Sequence, residues 1–414
     1  VVRVSGLDVA RRNVEWGVRV LREMVSIPTV NPPGDRYGDF ARYSKEVLES
    51  LGFSVRVFEV PADYVRRYYP DYANYPRYVV LGRYGEGSPV LHFNGHYDVV
   101  PPGSGWTRNP FDPVVEGGRL YGRGSSDMKG GIAAFLAAAK SFIESGRGFR
   151  GSIEVALVPD EEIGGETGTG YLVRELRVRP DYAVIGEPSG SGTVWIGHKG
   201  ALWAIVEVYG RQAHGSTPWL GVNAFEYMVR VADRLMREYL PYLEGRRSSY
   251  EYDDPRGARP TAMLGGEVRG GAKVNVVPGY YSFSIDRRVT PEERLEDVER
   301  EVIEFVRRAA SDLPGDVRVE VRVVNRLPPA LTDPNSKLVR VAKEAAREVL
   351  GREPRTTVCL GGLDMRYYTE VGISTVTYGP GLLGVAHIAD EYLPLDDFER
   401  MVYIYYLMLE KLLT

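Results

Sequence analysis

Histidine is scarce in this chain: five in 414 residues, at positions 92, 96, 198, 214 and 387. Several of them sit among acidic residues and glycines where predicted strands end, a placement that suits metal ligation. In Gly95-His96-Tyr97-Asp98 the histidine and the aspartate are two apart, so on an extended segment both project from one face. Asp98 is then placed to accept the His96 ring N–H, which fixes the tautomer of a histidine that binds a metal through its other nitrogen. Taken alone, the pair fits a structural histidine equally well. A second carboxylate, Asp127, lies in the glycine-rich run Gly122–Gly131 just before a predicted helix. Neither phosphate-cradling pattern, GxGxxG or GxxxxGK[ST], fits this run, so it does not read as a nucleotide loop, and Lys129 within it reads as structural. Asp160-Glu161-Glu162 follows a buried strand, and adjacent carboxylates there repel unless cations hold them or solvent screens them. One of the two glutamates can ligate a metal while its neighbour serves as general base; a solvated acidic turn is the plainer alternative. Gly186-Glu187-Pro188-Ser189 repeats the arrangement after the next strand, and Ala386-His387-Ile388-Ala389-Asp390-Glu391 adds a second histidine near the C-terminus. Two histidines and several carboxylates on separate strand ends form an oxygen-rich, imidazole-containing donor set. It is the set of a hydrolytic dinuclear site suited to zinc, cobalt or manganese.

Apolar runs alternating with helical segments must position these residues, and that alternation is the signature of an α/β sheet enzyme. Helices are predicted at Asn13–Met24 and Phe40–Leu51, the latter closed by Gly52 as a left-handed cap. Strands are predicted at Ser54–Val60, Val79–Arg83, Val90–Phe93, Ser152–Val158 and Tyr182–Ile185, with an Ala-rich helix running to about Ser145. The tyrosine-rich stretch Tyr64–Tyr78 reads as packing or a substrate-side rim. From about Gly197 the texture changes. Alternating strands at Leu202–Tyr209, Tyr281–Ile285 and Val317–Val323 surround two amphipathic helices, Ala224–Tyr239 and Pro291–Ala310, as in a two-layer α+β domain. Helix Ser336–Leu350, strand Thr375–Thr377 and helix Leu395–Leu413 then resume the first pattern. The expected organisation is a split catalytic domain, residues 1–197 and 325–414, with a mixed sheet flanked by helices, and an inserted two-layer α+β domain at 198–324.

Composition narrows the function classes. Forty-three per cent hydrophobic and 26% charged residues are ordinary for a globular protein of two or three domains. Fifty-two basic against 56 acidic residues leave a net charge of -4, too small a field to draw in nucleic acid or an anionic membrane. The longest apolar stretch, Ile132–Ala139, is too short to span a bilayer. The single cysteine, Cys359, excludes an internal disulfide and a Cys-rich zinc site, and reads as a buried hydrophobe in a reducing compartment. Charges at Arg3, Asp8, Arg11, Arg12 and Glu15 break up any leader-like apolar segment, so a cytoplasmic protein is expected. A single glutamine, Gln212, and an excess of arginine over lysine fit a thermophilic source or a biased genome equally.

His96 with Asp98, Asp127 in its glycine loop, Glu161 with Glu162, Glu187 and His387, in this order, resemble the dizinc amidohydrolases. That family includes acetylornithine deacetylase, succinyl-diaminopimelate desuccinylase, aminoacylase and glutamate carboxypeptidase. The resemblance runs from about Val14 to Leu409, and the run His96–Pro113 looks most like the deacetylase and desuccinylase branch. It implies two divalent ions per subunit, zinc first with cobalt or manganese able to substitute. Asp127 would bridge them, with His96 and Glu187 completing one site and Glu162 and His387 the other. It implies Glu161 as general base, Asp98 orienting His96, and a cis peptide after Asp127. Gly210–Ser216 resembles the family's lid motif, which implies a homodimer in which His214 reaches the partner's active site and stabilises the tetrahedral oxyanion. Asn275 and Arg288 match lid positions near the substrate, and an arginine grips a carboxylate in a bidentate pair, although an ordinary surface ion pair fits Arg288 nearly as well. Gly361–Arg366 resembles the loop where relatives bind substrate carboxylate, which implicates Gly362 and Arg366. Leu363 stands there in place of the usual threonine or serine, and the acyl or amino-acid preference is open on that account. His92 and His198 match no ligand position and read as structural.

The resemblance implies hydrolysis of an N-acyl amino acid, of the acetylornithine or succinyl-diaminopimelate type, by a metal-activated water. A dipeptidase or carboxypeptidase with the same chemistry is the near alternative. A non-catalytic binding protein on the same fold is the distant one, and it predicts lost ligands or a lost base, whereas all are present.

Overall fold

A computed structural model describes residues 6–414; Arg3, one of the charges that argue against a leader segment, lies outside them. The described chain divides into two compact units, one made of residues up to Ile196 with Thr332–Thr356 and Leu363–Thr414, the other of Gly197–Leu331 with Thr357–Gly362.

The first unit is built on a mixed sheet. Its strands run in the order Ser54–Glu59, Tyr78–Glu86, Gly151–Val158, Val90–His96, Tyr182–Ile185, Ser374–Thr377 and Thr193–His198. Val90–His96 is parallel to both its neighbours, and Ser374–Thr377 is parallel to Tyr182–Ile185. Tyr78–Glu86 is antiparallel on both sides. The two central strands are buried at every residue. That is why they lack the inside–outside alternation of a half-exposed strand, with His92, Asn94 and Glu154 buried among their apolar residues. Helix Lys129–Glu144 lies against Val90–His96 and packs with helices Gly6–Val25 and Leu395–Leu413. Its Ile132–Ala139 stretch is wholly inaccessible. This apolar run is therefore a core helix.

The second unit is a four-stranded antiparallel sheet in the order Thr261–Gly270, Tyr280–Val289, Gly200–Tyr209, Arg318–Leu327. Leu202, Ala204, Val206 and Val208 alternate into one core with Val298, Val302 and Val306, spaced one helical turn apart on helix Leu295–Ala309. The expected helix Ala224–Tyr239 is α-helical to Arg234 and passes into a π turn over Leu235–Tyr239. Strand Thr261–Gly270, which the sequence reading did not anticipate, is an edge strand, mostly exposed and broken by a register shift between Leu264 and Val268. It has no buried apolar alternation to announce it. The tyrosine-rich stretch begins with a short helix, Ala62–Tyr68.

Among the described residues no helix is long and apolar enough to cross a membrane.

Candidate metal centre

The parallel strands of the first unit deliver the ionisable residues to their C-terminal ends, where ligands bind in open α/β sheets. His96 ends Val90–His96, Glu161 and Glu162 follow Gly151–Val158, and Glu187 follows Tyr182–Ile185. Asp127 comes from the glycine loop just before helix Lys129–Glu144, and its peptide bond to Met128 is cis. His387 comes from the loop before helix Leu395–Leu413.

These residues form two groups that share Asp127. His96 Nε2 stands 3.1 Å from Asp127 Oδ1 and 3.3 Å from Glu187 Oε1. His387 Nε2 stands 3.2 Å from Asp127 Oδ2 and 3.1 Å from Glu162 Oε2. In each trio the candidate donor atoms all lie within 4.8 Å of one another. His96, Asp127 and Glu187 are buried, whereas the His387 side chain is 52% exposed.

The electrostatics of the bare side chains match a cation-binding role. Burial, with Asp127 next, pushes Glu162 up to about 7. Burial again, with Asp127 opposed by His96, takes Glu187 to about 8. Glu161 is raised well above the carboxylate range by burial and by Glu187. Asp127 goes the other way, because hydrogen bonds from His387 and His96 outweigh its burial. His387 is raised to about 10 by its bonds to Asp127 and Glu162. So many buried carboxylates need protons or cations between them, and a hard-to-borderline divalent ion with oxygen and imidazole donors answers that need.

The Glu161–Ile163 turn is held from behind. Asp98 accepts the backbone N–H of Glu161 and of Glu162, each at 3.2 Å, and the Asn31 amide at 2.9 Å. The His96 Nδ1–H meets the Asp98 carbonyl oxygen at 3.0 Å, closer than the Asp98 carboxylate at 3.4 Å. Asp98 thus faces both His96 and the glutamate turn. Asp160, fully buried and left-handed at φ 66°, accepts from Arg77 Nε at 2.8 Å, Tyr37 at 2.9 Å, Asn31 at 3.1 Å and the Thr167 hydroxyl. Arg77 spends its other nitrogens on the carbonyls of Tyr72, Tyr75 and Pro33. The sequence reading gave no role to Asp160, Arg77, Asn31 or Tyr37. Asp160 adjoins the motif, but Arg77 lies 83 and Asn31 129 residues from it, and nothing local marks them.

The Arg366 guanidinium donates to the carbonyls of Leu363 and Gly164, so it braces the end of the same glutamate turn. His92 bridges Glu154 and Tyr368 at 2.7 Å each, and Lys129 Nζ donates to the carbonyls of Met24 and Ile27.

The second unit carries the remaining singled-out residues. His214 and Asn275 are neighbours there: Ala213–His214 pairs with Val276–Val277, and Gly215 N–H donates to the Asn275 carbonyl at 2.8 Å. His214 is exposed, and its Nδ1 accepts the Ser216 backbone N–H at 3.1 Å, which leaves the proton of the neutral ring on Nε2. Arg288 donates to Asp286 at 2.9 Å. Gly362 lies against Leu327, where a Cβ would come within 2.9 Å of the leucine side chain.

The profile of Peptidase family M20/M25/M40 matches residues 92–411. The chain belongs to this family. It is 32% identical over 305 residues to a succinyl-diaminopimelate desuccinylase of Nitratiruptor, covering 72% of this chain and 77% of the relative. It is 32% identical over 404 residues to the enzyme of that name from Gluconobacter oxydans, covering 95% and 96%. Among solved structures, a tripeptidase from Staphylococcus aureus superposes with a TM-score of 0.75 at 21% identity, covering 96% of this chain and 98% of that one. A metallo-carboxypeptidase of the M20 family from Sulfolobus solfataricus gives 0.72 at 21%, covering 95% and 98%. Those two likenesses bear on the fold. Like other members of the M20/M25/M40 family, the chain is a metal-dependent hydrolase of amide bonds that takes divalent metal and acts on small substrates. The family expected from the five sequence motifs is the one found.

Proposed function

We propose that this hydrolase removes a succinyl group, or a closely similar acyl group, from the nitrogen of an amino acid of the diaminopimelate type. The observation that carries the reading is the near full-length kinship with desuccinylases, joined to the paired donor groups around Asp127. His96, Asp127 and Glu187 would hold one divalent ion and Asp127, Glu162 and His387 a second, with zinc the leading candidate and cobalt or manganese as substitutes. Bound there, such ions supply Lewis acidity, polarising the amide carbonyl and acidifying a water.

The chain's own groups do the rest. Glu161 takes the proton of the attacking water and hands it to the departing nitrogen, so the C–N bond breaks with a neutral amine leaving and succinate released. Asp98, facing both His96 and the glutamate turn, keeps ligand and base in fixed relation. His214 carries a proton on Nε2 and donates it as a hydrogen bond to the carbonyl oxygen as negative charge builds, a contribution worth about 3–4 kcal/mol of barrier. Asn275, Arg288 and Gly362 form the substrate-binding set, in which Arg288 pairs with a carboxylate of the substrate; Arg366, buried and committed to the Leu363 and Gly164 carbonyls, braces the glutamate turn instead. The first unit is the catalytic domain, the second a lid, and the working form a cytoplasmic homodimer that supplies His214 across its interface.

The test is amine release by the purified chain, with and without added zinc or cobalt and with a chelator control. The panel comprises N-succinyl-diaminopimelate, N-acetylornithine, N-acetylmethionine and several dipeptides. Chelator-sensitive release from the succinyl substrate, fastest in the panel, is expected. Turnover of dipeptides alone would replace the deacylase reading with a dipeptidase or carboxypeptidase.

A further inference from the structure

Four residues beyond His387 lies a carboxylate with no role in the reaction above. Glu391 is completely buried. Its Oε1 accepts three backbone N–H groups from one loop: Gly124 at 3.1 Å, Ser126 at 3.0 Å and Asp127 at 3.0 Å. Its Oε2 accepts from Arg123 Nη1 at 2.6 Å. The Glu391 main-chain carbonyl takes the Gly122 N–H at 2.9 Å, and the next carbonyl, of Tyr392, takes the Ser126 hydroxyl at 2.8 Å. The attachment therefore spans the whole turn from Gly122 to Asp127.

A buried carboxylate needs a compensating charge, and Arg123 supplies it through one oxygen. That pairing leaves the other oxygen to gather three N–H groups, ending on the residue whose two carboxylate oxygens reach His96 and His387. Holding the N–H groups of Gly124, Ser126 and Asp127 together fixes the path of the loop and the position of the Asp127 Cα, the point from which its carboxylate reaches both histidines. Glu391 also belongs to the segment that carries His387. One side chain thus ties together two ligand-bearing segments that are 264 residues apart in sequence.

We infer that Glu391 is a positioning residue for the metal centre, acting through the backbone of Asp127. The inference rests on the assignment of Asp127 as the shared ligand, and the experiment separates the two. Full-length protein stripped of metal is titrated with Zn²⁺ against a chromophoric chelator, and the visible absorption of the Co²⁺-loaded form is recorded. The variants are E391D, E391A, R123M and D127N. E391D keeps the charge but shortens the reach to the three N–H groups, whereas R123M removes the countercharge and leaves those groups their acceptor.

E391D is expected to weaken Zn²⁺ binding about 10- to 100-fold, the range for outer-shell partners of metal ligands, and to alter the Co²⁺ spectrum. R123M is expected to lower the melting temperature yet bind Zn²⁺ within about threefold of the parent and keep its spectrum. A merely structural Glu391 predicts that both variants lose affinity in step with melting temperature, and that result, or an unchanged E391D, overturns the inference. If E391A fails to fold, E391D decides. D127N must abolish tight binding; if it does not, the ligand assignment itself falls whatever Glu391 does.

Discussion

Arg77→Met tests whether the buried pair behind the glutamate turn governs both stability and turnover. Arg77 and Asp160 are both fully inaccessible, 2.8 Å apart. Removing the guanidinium leaves Asp160 with three neutral donors, Tyr37, Asn31 and Thr167, and with no countercharge. Breaking one side of a buried ion pair costs about 3–5 kcal/mol. The three carbonyls that Arg77 also serves are part-buried and regain water, so they add little. At about 2–4 °C per kcal/mol for a unit of this size, the melting temperature should fall by roughly 6–20 °C. Asp160→Asn alone should also destabilise, but the double variant should be less damaged than the sum of the two, with a coupling of about 1–3 kcal/mol in its favour. Calorimetry on the four proteins completes the cycle. Steady-state kinetics at equal bound metal should show turnover reduced in Arg77→Met, because Asp160 is the left-handed residue that leads into Glu161 and Arg77 anchors its side chain. A loss under about 2 °C, or strict additivity, would refute the reasoning.

Glu161→Gln should retain its metal content while turnover drops by about 10²–10⁴-fold, the usual worth of a general base; metal analysis beside kinetics checks it, and near-normal turnover removes Glu161 from that role. Lys199 gives a pH signature. Burial, helped by Arg287, lowers its folded-state value to about 8 from 10.5. Between those values the folded state binds fewer protons than the unfolded state, so stability rises with pH across that window. The burial penalty is felt in full below about 8. Urea midpoints measured from pH 7 to 10.5 should therefore climb in the parent relative to Lys199→Met, and parallel curves would contradict the assignment.

The fold was legible where burial writes a pattern. Leu202–Val208 alternates and Val298, Val302 and Val306 recur each turn, so the second unit's layers could be read directly. Strand Tyr182–Ile185 and helix Leu395–Leu413 fall where the sequence puts them, because the first is a short apolar run and the second is opened by Pro394 and carries a long series of buried apolar residues. Edge strand Thr261–Gly270 was not legible, since mostly exposed residues and a glycine-rich register shift erase alternation. Ligand-type residues announce themselves by rarity and by position at strand ends. Their supports do not: Arg77 and Asn31 are common residue types whose significance comes from reaching Asp160 across the fold. Glu391 stood inside a quoted motif, yet its engagement with three N–H groups depends on a loop that no local pattern connects to it.

The main excursion of the chain into the second unit leaves after Ile196 and returns at Thr332, and these two residues are joined by a hydrogen bond from Thr332 N–H to the Ile196 carbonyl at 2.7 Å. Departure and return are thus neighbours on the sheet of the first unit. Apart from the short segment Thr357–Gly362, the excursion leaves and re-enters the first unit through a single doorway one strand wide. Over evolutionary time such a body can lengthen, shrink or be exchanged while the residues at the strand ends keep their registration. The strand ends that carry His96, Glu161, Glu162 and Glu187 all precede Ile196 in the chain, so a change of length within the excursion leaves their registration untouched.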